Sequence, residues 1–198
     1  NPYGLARKKR SAWAAGTGVE TFSEQEFVFF PGDVGAFDSR GQQIARSVAA
    51  LLSRMGVSFG IVGDGEVSDG NDVNAMGESD LFRLLAEENI QRFHELNVKK
   101  IITLSPHGFN ALKNEYPALG GAYEVFHYTQ VLAAHVNTLS FQDTLPELTV
   151  TYHDPCYLGR HNGEYGSARK VLAALPGVNL REMDRSLQNA LCCGGGGG

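Results

Sequence analysis

The 198-residue chain holds only three cysteines and is short of positive charge, with 17 Lys and Arg against 22 Asp and Glu. So few cysteines exclude a disulfide framework as the basis of folding. A chain of this length, 42% hydrophobic, buries a core without such staples. The net charge of −5 argues against nucleic acid or an acidic membrane surface as partner, because both require an excess of Lys and Arg on some face. No apolar run approaches the ~20 residues of a spanning helix and no signal peptide opens the chain, so a reducing, cytoplasmic setting is expected. Also missing are G-x-G-x-x-G, a Walker loop, H-E-x-x-H and a serine nucleophile elbow, which leaves nucleotide binding, zincin chemistry and serine hydrolysis without a motif.

What is present is alternation. Short runs rich in β-branched and aromatic residues, at 26–30, 57–62, 99–104, 123–128, 148–153 and 178–183, read as strands bounded by Gly, Pro or Asp. Helix-period stretches lie between them. Ile44, Val48, Leu51, Leu52 and Met55 form one apolar stripe that Gly56 ends, and Leu81, Leu84, Leu85, Phe93 and Leu96 form another. Shorter helices are expected in "GFNALKNEY", "YTQVLAAHV" and "GSARKVLAAL". The order predicts an α/β fold with small, mainly parallel sheets and right-handed crossovers. The basic run "ARKKR" at 6–10 reads as solvated, and residues 1–22 as a linker from an upstream region. "GDGEVSDGND" at 63–72 lacks the spacing of a calcium loop and reads as a solvated loop.

The chain also resembles itself. "FVFFPGD" ends on Asp33 as "VTYHDPC" ends on Cys156, each an aromatic-rich strand followed by a turn containing Pro. A helix and a Gly-Val strand opening follow in both, then "VSDG" at 67–70 in the first copy and "LCCG" at 191–194 in the second. Two tandem pseudo-repeated strand-helix units are therefore expected, residues 23–146 and 147–198, the second cut short and the chain a fragment of a longer protein. Asp33 stands where Cys156 does, and Ser68-Asp69-Gly70 where Cys192-Cys193-Gly194 does.

Adjacent cysteines strain an intramolecular disulfide, and their side chains diverge too far to chelate one small ion readily. An iron–sulfur cluster is larger, takes thiolate ligands and can be approached by consecutive residues on a glycine-freed loop. Two alternatives stand beside it: a zinc site of His153, Cys156 and one of the pair, and plain packing of small apolar thiols. His107 and His153 flank the proposed sites, where either could supply a proton or serve only as a packed side chain.

"DPCYLGRHN" followed by "CCGGGGG" resembles the cysteine-rich CCG domain found in the B-type and D-type components of heterodisulfide reductase. The same domain occurs in iron–sulfur subunits of glycolate and lactate oxidation and in reductases served by electron-transfer flavoprotein. The likeness runs from about Glu26 to Gly198 and includes "GAFDSRGQQIAR", "ESDLFRLLAEENI" and "SPHGFNALKNEYP" of the first copy. It implies a 4Fe-4S cluster held by five cysteines, of which Cys156, Cys192 and Cys193 are present, with Gly194 in the cluster-binding loop. The closing Cys-x-x-Cys would lie beyond the chain. It further implies an electron-transfer or disulfide-reductase subunit partnered by a flavoprotein dehydrogenase or electron-transfer flavoprotein, with a membrane cytochrome or quinone module and membrane association through other parts of the parent. The first copy departs from the family. Asp33, Ser68, Asp69, Ser105 and Gly108 stand where it would carry thiolates, and hard oxygen ligands do not replace soft ones around iron and sulfide. That copy is expected to be cluster-free, a scaffold or docking surface. A cluster-less α/β interaction scaffold is the alternative for the whole chain.

Overall fold

The structure, a computed structural model, describes residues 3–140 and 146–195. Its first unit is a four-stranded parallel sheet of β1 (Phe27–Phe30), β2 (Phe59–Gly60), β3 (Lys100–Thr103) and β4 (Glu124–His127), in the order β2-β1-β3-β4. The register sets Phe27 beside Phe59 and Lys100, and Thr103 beside His127. Both faces of a parallel sheet must be covered. On one face Val28, Phe30 and Ile101 meet α4 (Ser79–Glu95) and the helical stretch that begins as α5 (Pro106–Asn110). On the other, Phe29 and Ile102 meet α2 (Ser39–Arg54) and α6 (Tyr128–His135). Two short helices, α1 (Gly32–Phe37) and α3 (Asn71–Ala75), follow the segments that leave β1 and β2.

The second unit pairs β5 (Leu148–Val150) with β6 (Val178–Leu180), also in parallel, across α7 (Ser167–Ala173). Strand, Pro-containing turn, helix and parallel strand thus recur in the order β1-α2-β2 and β5-α7-β6. Leu158 is buried in one core of the first unit and Val171 packs against the other, which joins the two units. The α/β class with small parallel sheets is as the alternation of the sequence implied.

The apolar stripe of α2 holds apart from Ile44, with Leu51 and Met55 packed on the core, whereas that of α4 is phased differently over its first half. On α4 the buried side chains are Phe82, Ala86, Asn89, Ile90 and Phe93, whereas Leu81 and Leu84 are exposed. On α2, Ala45, Val48, Ala49 and Leu52 are buried and Ile44 is exposed. Ala45 and Phe82, each one position along from the exposed Ile44 and Leu81, are buried in their place.

A larger correction concerns the start of the chain. Arg10 is only 3% exposed and Trp13 only 1%, with the Trp13 ring edge-on to Phe29 in the core. Ala6, Arg7, Lys8 and Lys9 are exposed, as the solvated reading of "ARKKR" expects, but Arg10 and Trp13 are not. Arg10 is drawn in by buried carboxylates, and Trp13 fills the face of the sheet beside α2, where Arg46 Nε donates to its carbonyl.

Candidate functional site

The turn after β5 is fixed by Asp154, which is buried. Its two oxygens accept from Arg169 Nη1 and Nη2 at 2.6 and 2.8 Å, and Oδ2 also accepts from the Leu187 N–H at 2.7 Å. Arg169 continues to Glu182 through Nε and Nη2 at 2.7 and 2.9 Å. This bidentate pairing ties the Asp-Pro-Cys turn to α7, to the exit of β6 and to the loop that leads to the cysteine pair. The Arg169 hydrogen bonds hold the Asp154 carboxyl below its usual range, against burial, and do the same for Glu182.

The clamp sets the cysteines. Arg160 Nη2 donates to Cys156 Sγ at 2.7 Å while Nη1 donates to the Ala190 carbonyl at 2.5 Å, so one guanidinium spans the Cys156 turn and the approach to Cys192. Cys192 Sγ accepts from the Gly194 N–H at 3.4 Å, and Cys193 Sγ accepts from the Gly195 N–H at the same distance. Gly194 has φ of +77°, the left-handed region, and this turns the backbone amides back onto the sulfurs. The Cys192 thiol is pushed down by the Gly194 N–H first, then by a hydrogen bond with Cys156 and by the Arg160 charge. Cys156 and Cys192 are thus neighbours, Cys156 half-buried and Cys192 and Cys193 exposed.

Three thiols, two accepting from backbone N–H groups and one from a guanidinium, are a soft donor set of the kind an iron–sulfur group takes. Among the described residues no three His, Cys, Asp or Glu converge as a single metal ion requires. The zinc trio of His153, Cys156 and one of the pair is therefore not assembled. His107 packs edge-on against Tyr157, 4.8 Å between ring centres, and joins the loop after β3 to the Cys156 turn.

The corresponding place in the first unit is closed by ion pairs. Arg10 donates to Asp33 Oδ1 at 2.5 Å, to Glu66 Oε1 at 2.9 Å and to the Val67 carbonyl at 3.2 Å. Glu66 is 1% exposed, and burial pushes its carboxyl up to about 7 against the pull of Arg10. Asp69, beside it, is pushed up to about 6 by burial, with the Asn71 N–H opposing. "GDGEVSDGND" is accordingly no solvated loop, since the Asn89 side chain from α4 makes three hydrogen bonds to the backbone of Val67 and Ser68. Gly108 lies where any Cβ would come within 3.1 Å of Asp69 Oδ2, and Ser105 Oγ caps α5 by accepting from the His107 and Gly108 N–H groups. The positions aligned with the thiols do come together, yet as a carboxylate cluster around a cation.

Sequence reasoning found the cysteines and missed their holders, Asp154, Arg160 and Arg169. Two of these had a local signal, since Asp154 is in the Asp-Pro-Cys turn and Arg160 follows Cys156 by four residues. Arg10 and Glu66 had none, being far apart in the chain.

The model of the CCG family, described as a cysteine-rich domain, matches residues 28–113 and 150–198. Over its whole length the chain is 45% identical to the "Probable iron-sulfur-binding oxidoreductase FadF" of Bacillus subtilis, covering 30% of that protein. It is 39% identical to the "EtfAB:quinone oxidoreductase" of Syntrophomonas wolfei, covering 29% of it, again along all of the chain. It is 34% identical to one polypeptide of the dihydromethanophenazine:CoB–CoM heterodisulfide reductase of Methanosarcina barkeri, covering 49% of that polypeptide and all of this chain. The chain therefore spans half or less of the length of these relatives, and no solved structure matches it. With the two matched segments falling on the two β-α-β units, the chain belongs to the CCG family of cysteine-rich domains.

Proposed function

We propose that the chain is the thiolate-bearing part of an iron–sulfur electron-transfer protein, with Cys156, Cys192 and Cys193 as ligands of a 4Fe-4S cluster and Gly194 shaping the loop that lets two of them approach it. The observation that carries this reading is the convergence of Arg160 and the Gly194 N–H on the neighbouring sulfurs of Cys156 and Cys192. In this reading the remaining ligands come from outside residues 1–198, residues 23–146 form a cluster-free first unit, and residues 147–198 begin the second. When bound, the cluster supplies one-electron chemistry at a potential tuned by burial and by hydrogen bonds to sulfur.

The residues of the chain then have separate tasks. Arg160 and the two glycine N–H groups lower the cost of gathering negative sulfurs, and the Asp154–Arg169–Glu182 clamp keeps the two cysteine-bearing loops in register. Electrons would arrive from a flavoprotein dehydrogenase or electron-transfer flavoprotein and leave toward a disulfide or, through a membrane module of the parent, a quinone. The name of the Syntrophomonas wolfei relative, an EtfAB:quinone oxidoreductase, supports the flavoprotein and quinone ends, and that of the Methanosarcina barkeri relative supports a disulfide as acceptor.

Residues 1–198 alone are expected not to hold a stable cluster, so titration of the anaerobic full-length parent protein with ferrous iron and sulfide tests the reading. Arg160→Ala should weaken uptake and raise the pH at which the Cys192 thiol reacts with iodoacetamide. Unchanged uptake and unchanged thiol reactivity would count against it.

A further inference from the structure

The two side chains that follow Cys156 are committed to contacts with the first unit. Leu158 is 1% exposed, in the core that also holds Phe30, Phe93 and Phe109. The Tyr157 ring meets two imidazoles, edge-on to His107 of α5 and stacked on His161, each 4.8 Å away between ring centres. The backbone of the same turn closes on itself. The Gly159 N–H donates to the Pro155 carbonyl at 2.8 Å and the His161 N–H to the Cys156 carbonyl at 3.1 Å.

A ring of three amides fixes this turn from the side of the first unit. Asn162 Nδ2 donates to the Tyr157 carbonyl at 2.6 Å and to Asn110 Oδ1 at 3.1 Å. Asn114 Nδ2 donates to the same Asn110 oxygen at 2.8 Å and to Asn162 Oδ1 at 3.1 Å. A backbone carbonyl can only accept, so the Tyr157 contact fixes which end of the Asn162 amide is nitrogen, and the other two amides follow from it. Asn110 is 5% exposed and ends α5, and Asn114 lies on the π turn Ala111–Glu115 that continues it. Residues four apart share one face of a helical stretch, which presents both amides to Asn162.

We propose that Asn110 and Asn114 are positioning residues for the Cys156 thiol, acting through Asn162, so that the first unit holds in place a ligand it does not itself carry. The inference rests on the reading of Cys156 as a cluster ligand and adds a part to it, since the holders already described, Asp154, Arg160 and Arg169, all belong to the second unit. Without the amide ring the Tyr157 carbonyl loses its side-chain donor, and the stretch between Cys156 and Asn162 loses its anchor on the first unit. Arg160 lies in that stretch. It donates to Cys156 Sγ and its charge acts on Cys192, so a shift of the turn is felt at both thiols.

The test is the pH profile of Cys192 alkylation by iodoacetamide, followed by peptide mass spectrometry on the folded chain. Asn162→Ala and Asn110→Leu should each slow the reaction at pH 7 by roughly two- to fivefold, the factor expected for one lost hydrogen bond, and move the profile to higher pH. Asn110→Asp keeps acceptor oxygens for both neighbouring amides and should recover most of the parent profile. Ile101→Val, a substitution in the buried part of β3, should lower the urea midpoint and leave the profile in place, which separates positioning from loss of stability. Circular dichroism establishes that each variant is folded, and Asn162, only half-buried, keeps the test open if Asn110→Leu does not fold. An unchanged profile in folded Asn162→Ala, or an equal shift in Ile101→Val, would overturn the proposal. The profile is read without iron, so a parent protein that takes up no cluster would refute the ligand reading and leave this outcome as it stands.

Discussion

The two units place different chemistry at the same point of one β-α-β pattern. After β1 the turn carries Asp33, and the loop after β2 brings Glu66 and Asp69 beside it. After β5 the turn carries Cys156, and the chain beyond β6 brings Cys192 beside it. Each cluster of acidic groups has a guanidinium. In the first unit it is Arg10, supplied from outside the repeat and 3% exposed, so the site is closed by the protein itself. In the second it is Arg160, supplied from the same turn and exposed, so the sulfurs remain accessible. The backbone sets where acidic side chains gather. The ligand atoms and the origin of the cation decide whether the place becomes part of the core or a site.

That contrast is easiest to break at Arg10. Arg10→Ala leaves Asp33 and Glu66 buried without their partner, and chemical denaturation should show a loss of about 3–5 kcal/mol, with little change in the reactivity of Cys192. In the second unit, Asp154→Ala removes the Arg169 fork and the Leu187 N–H acceptor. About 2 kcal/mol of stability should go, and the Leu187 amide should exchange faster by hydrogen–deuterium measurement while the β1 amides remain protected.

A pH series separates the units by sign. Glu66 titrates higher in the folded chain than its ordinary 4.5, at about 7, so the folded state binds the proton first and stability contributed by this group falls as pH rises across that window. Asp69 acts in the same direction up to about 6. Asp154 and Glu182 are held low, so their contribution is present above the ordinary carboxylate range and is lost on acidification through their depressed values. Thermal unfolding from pH 4.5 to 7 should therefore decline less steeply in Glu66→Gln than in the parent chain. The smallest effect belongs to Arg7, whose pairing with Glu88 is about half exposed on both sides. Arg7→Ala should cost less than about 1 kcal/mol in the same assay, which would separate a solvated basic residue from its buried neighbour three positions on.

The architecture was legible because strands and helices in a parallel α/β fold announce themselves by local pattern. All six strand segments contain strands, and "YTQVLAAHV" and "GSARKVLAAL" contain α6 and α7. The phase of α4 was not legible. Leu81, Leu84 and Leu85 fit a helical stripe as well as Phe82, Ala86, Ile90 and Phe93 do, and the choice is made by what faces the helix. Asn89 points inward because loop backbone and the Tyr116 hydroxyl satisfy its amide, a circumstance no local pattern records. The same holds for Arg10, which reads as one more basic residue of "ARKKR" until Asp33 and Glu66 are folded around it. At the candidate site the thiols were visible as a motif. The groups that orient them were hidden because charge-assisted pairs such as Asp154–Arg169 are chosen by tertiary proximity.

The central claim is that the second unit alone carries the cluster ligands. Its most direct measurement is the iron and acid-labile sulfide content, with visible absorbance, of the anaerobically reconstituted full-length parent protein carrying Cys193→Ala or Asp33→Ala. The account predicts that Cys193→Ala loses the absorbance and the iron assigned to this site, while Asp33→Ala retains both. Retention of the full iron content by Cys193→Ala, or its loss in a folded Asp33→Ala variant, would contradict it.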